Sequence, residues 1–186
     1  IALRPSNVSV YNGQINVIKG AFDTVYAYNS DYERRTRYIV DYGKYYDMAF
    51  GDLFSPEAIS VTKPFIEKDD FLIFRMFLPK GEFSATKKED KSEAPKAVVT
   101  FLYDKKEERL ISLAQDEISA VSGFVNDMDG GINFTPDFFT GGKMYQIVEA
   151  DLFMEYAKAS DSPRMKRIAE RISEDSNPVM IEATFK

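Results

Sequence analysis

The 186-residue sequence contains no cysteine, no histidine and no tryptophan. Without cysteine there are no disulfides and no thiol nucleophile; without histidine there is no imidazole base for a triad, and with neither there is no Cys/His zinc site. The lack of cysteine leaves the redox compartment open, since exported proteins can lack disulfides too. Positive charge is in short supply: 24 Lys and Arg stand against 30 Asp and Glu, a formal net charge of −6. The resulting pI near 4.9 argues against a nucleic-acid partner, which needs a basic face. The basic run Arg34-Arg35-Thr36-Arg37 falls at a hairpin turn and reads as a solvated tip. No stretch of about 18 apolar residues occurs, so no membrane span is expected. Gly141-Gly142-Lys143 lacks the first glycine and the Ser/Thr of a phosphate-binding loop.

What is present is sheet-forming. Hydrophobic residues make up 44% of the chain, and the aromatic 14% is all Phe and Tyr, a composition that favours strands in a globular protein. The chain is organised around residues 97–113, AVVTFLYDKKEERLISL, where apolar and polar residues alternate on both sides of a charged turn. That is the pattern of a β-hairpin. Residues 23–43 repeat the phrase, with Val25-Tyr26-Ala27-Tyr28-Asn29 matching Thr100-Phe101-Leu102-Tyr103-Asp104, and residues 179–186 repeat its first strand. Three copies, the last one halved, suggest a repeat architecture.

Taken in order, residues 7–11 and 14–19 alternate around Asn12-Gly13, the strongest short hairpin signal. With the hairpin at 23–43 they supply four strands, as one propeller blade requires. Ser55-Pro56 reads as the start of a short helix over 55–59. Two strands at 64–66 and 71–78 follow, dense enough in apolar residues for burial on both faces. Residues 80–96 read as a flexible charged loop, and the hairpin at 97–113 completes a second blade. After a linker at 115–122 and the loop GFVNDMDGGINF at 123–134 comes a strand at 144–148. Helices are expected at 151–159 and from Ser162-Pro163 to Asn177-Pro178, with Met165, Ile168, Ala169 and Ile172 as an apolar stripe. The expected class is all-β: a partial β-propeller of about two and a half blades, with short helices inserted near the C-terminus.

Several constellations are candidates for function. Asn126, Asp127 and Asp129, followed by two glycines, form a loop suited to a hard cation such as calcium or to a polar ligand. The EF-hand template fails there, because with Gly130 as the turn glycine its first and twelfth positions are Val125 and Pro136. The same residues are what a tight turn needs for its own backbone. Asp127, Asp129, Glu149 and Asp151 could supply the paired carboxylates of glycoside hydrolysis, which needs no histidine. Tyr42, Tyr45, Tyr46 and Phe50 could stack on sugar rings or pack one blade on the next.

The passages RYIVDYGKY, GFVNDMDGGINF and SEDSNPVMIEATFK resemble, in order, the C-terminal half of a six-bladed, NHL-like β-propeller family common in gut Bacteroidetes. The resemblance covers nearly the whole chain and implies that residues 1–186 are the C-terminal part of a single propeller domain. It implies export to the cell envelope as a lipoprotein, hence a periplasmic or cell-surface location. It brings no catalytic residues and no cofactor. The opening Ile1-Ala2-Leu3-Arg4-Pro5 reads as the cut end of a longer chain. The expected partner is accordingly the missing N-terminal half of the propeller or a second copy, because a propeller closes its ring by pairing strands. The leading functional expectation is a non-enzymatic binding or interaction module with a glycan or protein ligand. The alternative is a carbohydrate-active hydrolase or lyase using carboxylates and Tyr.

Overall fold

The first hairpin turns where the sequence says it should. Asn12 and Gly13 have φ of 48° and 71°, the left-handed pair that a type I′ turn requires, and they join β1 (Ser6–Tyr11) to β2 (Gln14–Lys19). In this computed structural model residues 6–19, 23–45, 59–79, 96–116, 118 and 122–184 are described. They fall into two compact units, Ile1–Ser112 and Leu113–Lys186.

The first unit holds two four-stranded antiparallel sheets, each a meander in chain order. In the first, β3 (Thr24–Tyr28) and β4 (Arg34–Ile39) follow β1 and β2. The β3–β4 turn is tied by Asn29, whose Oδ1 accepts the backbone N–H of Asp31 and Glu33 at 3.0 and 2.8 Å. The second sheet runs β5 (Ser60–Glu67), β6 (Phe71–Pro79), β7 (Lys96–Asp104) and β8 (Arg109–Ser112). Pro64 has no N–H to give a ladder, and it lies where the register shifts between Thr62 and Phe65. In the turn after β7, Asp104 Oδ1 accepts the N–H of Lys106 and Glu107.

A core of Ile18, Val25, Phe65, Leu72, Phe74 and Met76 belongs to this unit, with Tyr38, Val99, Phe101 and Tyr103 packed against it. Each fully buried side chain of this size contributes about 1.5–3 kcal/mol. Phe74 and Phe101 are cross-strand partners whose rings stack at 5.6 Å. In β6 both Ile73 and its neighbours Leu72 and Phe74 are buried, the two-sided burial expected of that strand.

The structure corrects the expected tip at Arg34-Arg35-Thr36-Arg37. The turn lies before these residues, which open β4, and Arg37 faces a buried carboxylate. The register explains it: Val25 pairs with Tyr38 but Tyr26 with Thr36, so Arg37 is the extra residue of a β-bulge. A bulge re-aims a side chain that strict alternation would send to the other face.

In the second unit β10 (Lys143–Val148) is flanked by β9 (Phe138–Thr140) and β11 (Val179–Thr184). Helix α1 (Ala150–Ala159) buries Ala150, Phe153 and Ala157, at helical one-face spacing. Helix α2 (Pro163–Ala169) has Pro at its first turn and Ser162 as N-cap, the hydroxyl accepting Met165 N–H at 3.1 Å. With Ile132, Val148, Val179 and Ile181 these helices make a second core. The helix expected to reach Asn177-Pro178 stops at Ala169: Arg171 N–H already turns back to Ile168 O, and Ser173 and Ser176 close a separate turn. Ile172 still packs on the core from outside the helix. The 115–122 linker is pinned at its ends by an isolated bridge between Gln115 and Ser122. Of the helix start expected at 55–59 and the loop expected at 80–96, Ile59 is buried and Lys96 begins β7; the rest lies outside the described residues.

Candidate functional site

The loop between the bridge residues Phe124 and Phe134 gathers the sequence's polar candidates. Asn126 and Asp129 turn the chain locally: Asn126 Oδ1 accepts Met128 N–H, and Asn126 Nδ2 donates to Asp129 Oδ1 at 2.9 Å. Gly131 N–H donates to the same oxygen at 3.2 Å. The other oxygen, Oδ2, accepts the Ser162 hydroxyl at 2.8 Å, and Gly130 O accepts the Ser160 hydroxyl at 2.7 Å. Ser160 and Ser162 sit in the α1–α2 connection and are buried. The Ser162 bond, joined by those from Asn126 and Gly131, holds the Asp129 carboxyl below its ordinary pKa.

This arrangement makes a loop with a clasped base and an exposed tip. Val125, Asp127 and Met128 face solvent, Met128 at 91% exposure. A Cβ at Gly131 would sit 2.6 Å from Asn126 Nδ2 and 3.2 Å from Met165 Sδ, so a larger residue there would push the Asn126 amide off Asp129. For calcium, Asp129 would have to exchange donors on both oxygens for the ion. Among the described residues no group of three or more acidic side chains is placed to hold a metal. Glu149 and Asp151, the other carboxylate candidates, are exposed at the start of α1.

A second polar constellation was not legible in the sequence. Glu67, the last residue of β5, has a side chain with 0% exposure. It accepts Arg37 Nη2 at 2.6 Å, Tyr38 O–H at 2.6 Å, Lys105 Nζ at 2.9 Å and Asn16 Nδ2 at 2.7 Å. Tyr11 closes the cluster from β1: its hydroxyl donates to Asp69, and its ring lies 5.3 Å from the Arg37 guanidinium and 4.8 Å from the Lys105 ammonium. Burial pushes the Glu67 carboxyl up, but the bonds from Arg37, Tyr38 and Lys105 outweigh it and leave the pKa below the ordinary value. Burial, then the bond to Glu67, raises the Tyr38 phenol. A carboxylate with so many donors is a clamp between the two sheets rather than a base with a free lone pair.

The expected aromatic surface divides. Tyr42 is buried in the first core and its phenol is pushed up to about 12 by burial and then by Asp23. Tyr45 is half-buried against the same core, so these two rings pack. Tyr46 and Phe50 lie outside the described residues.

With this geometry in place the comparisons can be read. The profile of a family described as a domain of unknown function, DUF4933, matches residues 3–166. The chain belongs to that family. The match takes in both four-stranded sheets, the clasped loop and the start of α2. No curated protein and no solved structure matches this DUF4933 chain.

Proposed function

We propose that this DUF4933 chain is a non-enzymatic binding module, part of a β-propeller of the cell envelope, that takes an apolar protein segment at its 125–131 loop. The observation that carries the reading is the contrast within that loop: Met128 is almost fully exposed while Asp129 and Gly130 beside it are fastened to Ser162 and Ser160. A tip held out on a fixed base loses little conformational entropy on binding, and an unbranched thioether adapts to varied apolar partners. The propeller part of the reading is supported by two four-stranded meanders followed by a third antiparallel sheet. The periplasmic or cell-surface location rests on the resemblance alone.

The test is selection of phage-displayed random peptides on the immobilised chain, repeated on a Val125→Ser/Met128→Ala variant. Enriched apolar peptides whose affinity falls at least tenfold on the variant support the reading. Peptides that bind both proteins equally, or no enrichment, overturn it. A parallel incubation with soluble polysaccharides checks the enzymatic alternative: release of reducing ends, lost in Asp127→Asn, would replace a binding module with a carbohydrate-active enzyme.

A further inference from the structure

An open cleft of about 360 Å³ lies between α1 and α2. Its floor is apolar: Ala157 is buried, and Met154 and Ala169 are half-buried. Its rim is charged and exposed, with Lys158 from the last turn of α1, Lys166 from α2 and Glu170 at the C-cap of α2. Helical spacing produces this division. Phe153 and Ala157 belong to the second core, and Met154 and Lys158, one residue further on, follow at its flank. On α2 Met165 belongs to the same core, and Lys166 and Glu170, at i and i+4, share one flank.

The positive charge of this rim is uncompensated. Among the described residues the ion pairs are Arg37–Glu67, Lys105–Glu67 and Lys143–Glu182, so neither Lys158 nor Lys166 is in one. Lys166 precedes Glu170, the weaker order for an i,i+4 pair. The surroundings are basic as well: residues 158–171 carry five Lys and Arg against two acidic residues, in a chain whose net charge is −6. An anion is therefore drawn to this part of an otherwise repelling surface.

An apolar floor under a cationic rim complements a molecule with an apolar body and one anionic end. The volume is near the lower end of small-molecule sites, which suits one short chain. Glu170 on the same rim repels a second negative charge, which favours a carboxylate over a phosphate dianion. We infer that the α1–α2 cleft binds a single-chain aliphatic monocarboxylate, its chain on Met154, Ala157 and Ala169 and its carboxylate accepting from Lys158 and Lys166. The unbranched Met154 adapts to such a chain. This site is separate from the 125–131 loop and does not depend on the loop's ligand.

Calorimetric titration of the full chain with decanoate, below its micellar concentration, tests the inference, with amide NMR shifts to locate the binding. Saturable one-to-one binding is expected, with shifts centred on Met154, Ala157, Lys166 and Ala169. Lys158→Met/Lys166→Met keeps the apolar stems and should weaken decanoate about tenfold while leaving decanol unchanged. Glu170→Gln should strengthen decanoate by about threefold, since a like charge is removed. Should the Met pair associate, Lys158→Gln/Lys166→Gln reports on the same charges. Ala169→Leu, which narrows the floor, should abolish binding of both decanoate and decanol. The inference falls if decanoate does not saturate, if decanol binds the wild type as tightly, if the shifts centre elsewhere, or if the lysine variants bind decanoate unchanged. An acidic peptide that shifts these residues where decanoate does not would give the cleft to a protein partner and overturn it too.

Discussion

Replacing Glu67 by Gln tests the reading of the sheet–sheet clamp most directly. The substitution keeps the shape and removes the charge, leaving Arg37 and Lys105 without their shared counter-ion and turning an amide N–H₂ toward donors. Removing one partner of a buried ion pair costs about 3–5 kcal/mol. Here the Arg37 and Lys105 side chains keep 25% and 19% of their exposure, so water recovers part of that, and about 2–4 kcal/mol is expected. The assay is urea unfolding followed by tyrosine fluorescence: no Trp is present, and nine of the eleven Tyr lie in the unit Ile1–Ser112. With a slope of about 1.5 kcal/mol per molar urea, a loss of about 3 kcal/mol moves the midpoint by about 2 M.

The same variant has a pH signature. Glu67 titrates below the ordinary carboxylate value in the folded protein. Its contribution is therefore complete above the unfolded pKa of about 4.3 and disappears as pH falls through the lower folded value. Gln does not titrate, so the gap between wild type and variant should stay level down to about pH 5 and narrow as pH falls below the unfolded pKa of about 4.3. A midpoint shift below about 0.5 M at pH 7, or a gap that does not narrow at all below pH 4, would refute the clamp.

Three further outcomes follow from the geometry. Ser162→Ala removes both the cap on Met165 N–H and the hydroxyl bonded to Asp129, for a loss of about 1–3 kcal/mol in the second unit; hydrogen exchange should quicken at Met165 and Gly131, and unchanged exchange there would mean that the clasp does not hold the loop. Gly123→Ala places a Cβ 2.6 Å from Phe134 O, the carbonyl that accepts Phe124 N–H; overpacking of about 2 kcal/mol should lower the melting temperature of that unit by roughly 10 °C, and an unaltered melt would contradict the packing. Tyr42, whose phenol is pushed up to about 12, keeps its proton in the folded state after an unfolded tyrosine loses it, so stability should fall as pH rises from about 10 toward 12. Tyr42→Phe should flatten that fall in alkaline urea titrations; an equal slope in both proteins would show that Tyr42 is not the source.

How much of this was legible depended on how local the cause was. Asn12-Gly13 announces its turn because both φ angles are set by those two residues alone. The repeated phrase located β3 and β7, and Ser162-Pro163 located α2, for the same reason. Glu67 was hidden: in Glu67-Lys68-Asp69-Asp70 it reads as one more charged turn residue, and its partners Asn16, Arg37, Tyr38 and Lys105 come from three distant stretches. Pro64, inside an apolar strand, was the available hint that β5 is irregular just before it. The bulge that brings neighbouring Arg37 and Tyr38 to one carboxylate breaks the period-two rule on which reading a strand depends. At Asn126 and Asp129 the turn chemistry was readable, but not the anchor, since Ser162 lies 33 residues away.

The acidic excess of the chain takes on a different meaning once its partners are known. Backbone N–H groups in loops have no ladder to satisfy them, and a buried one left unpaired is costly. Several carboxylates answer that need: Asp116 accepts the N–H of Asn133 at 2.6 Å and of Ile118 at 2.8 Å, and Asp129 accepts Gly131 N–H, while Asp137 accepts at 2.8 Å the N–H of Ile147 in β10, past the residues that β9 pairs. All three, Asp116, Asp129 and Asp137, belong to the stretch between β8 and β9, where the described residues of the second unit have least regular pairing. Carboxylates used in this way fix the backbone and leave the polar chemistry of the loops facing inward. The residues that the same scaffold turns outward, Val125, Asp127 and Met128, are mostly apolar, and that is why a binding surface rather than a pair of reacting carboxylates is the function to test first.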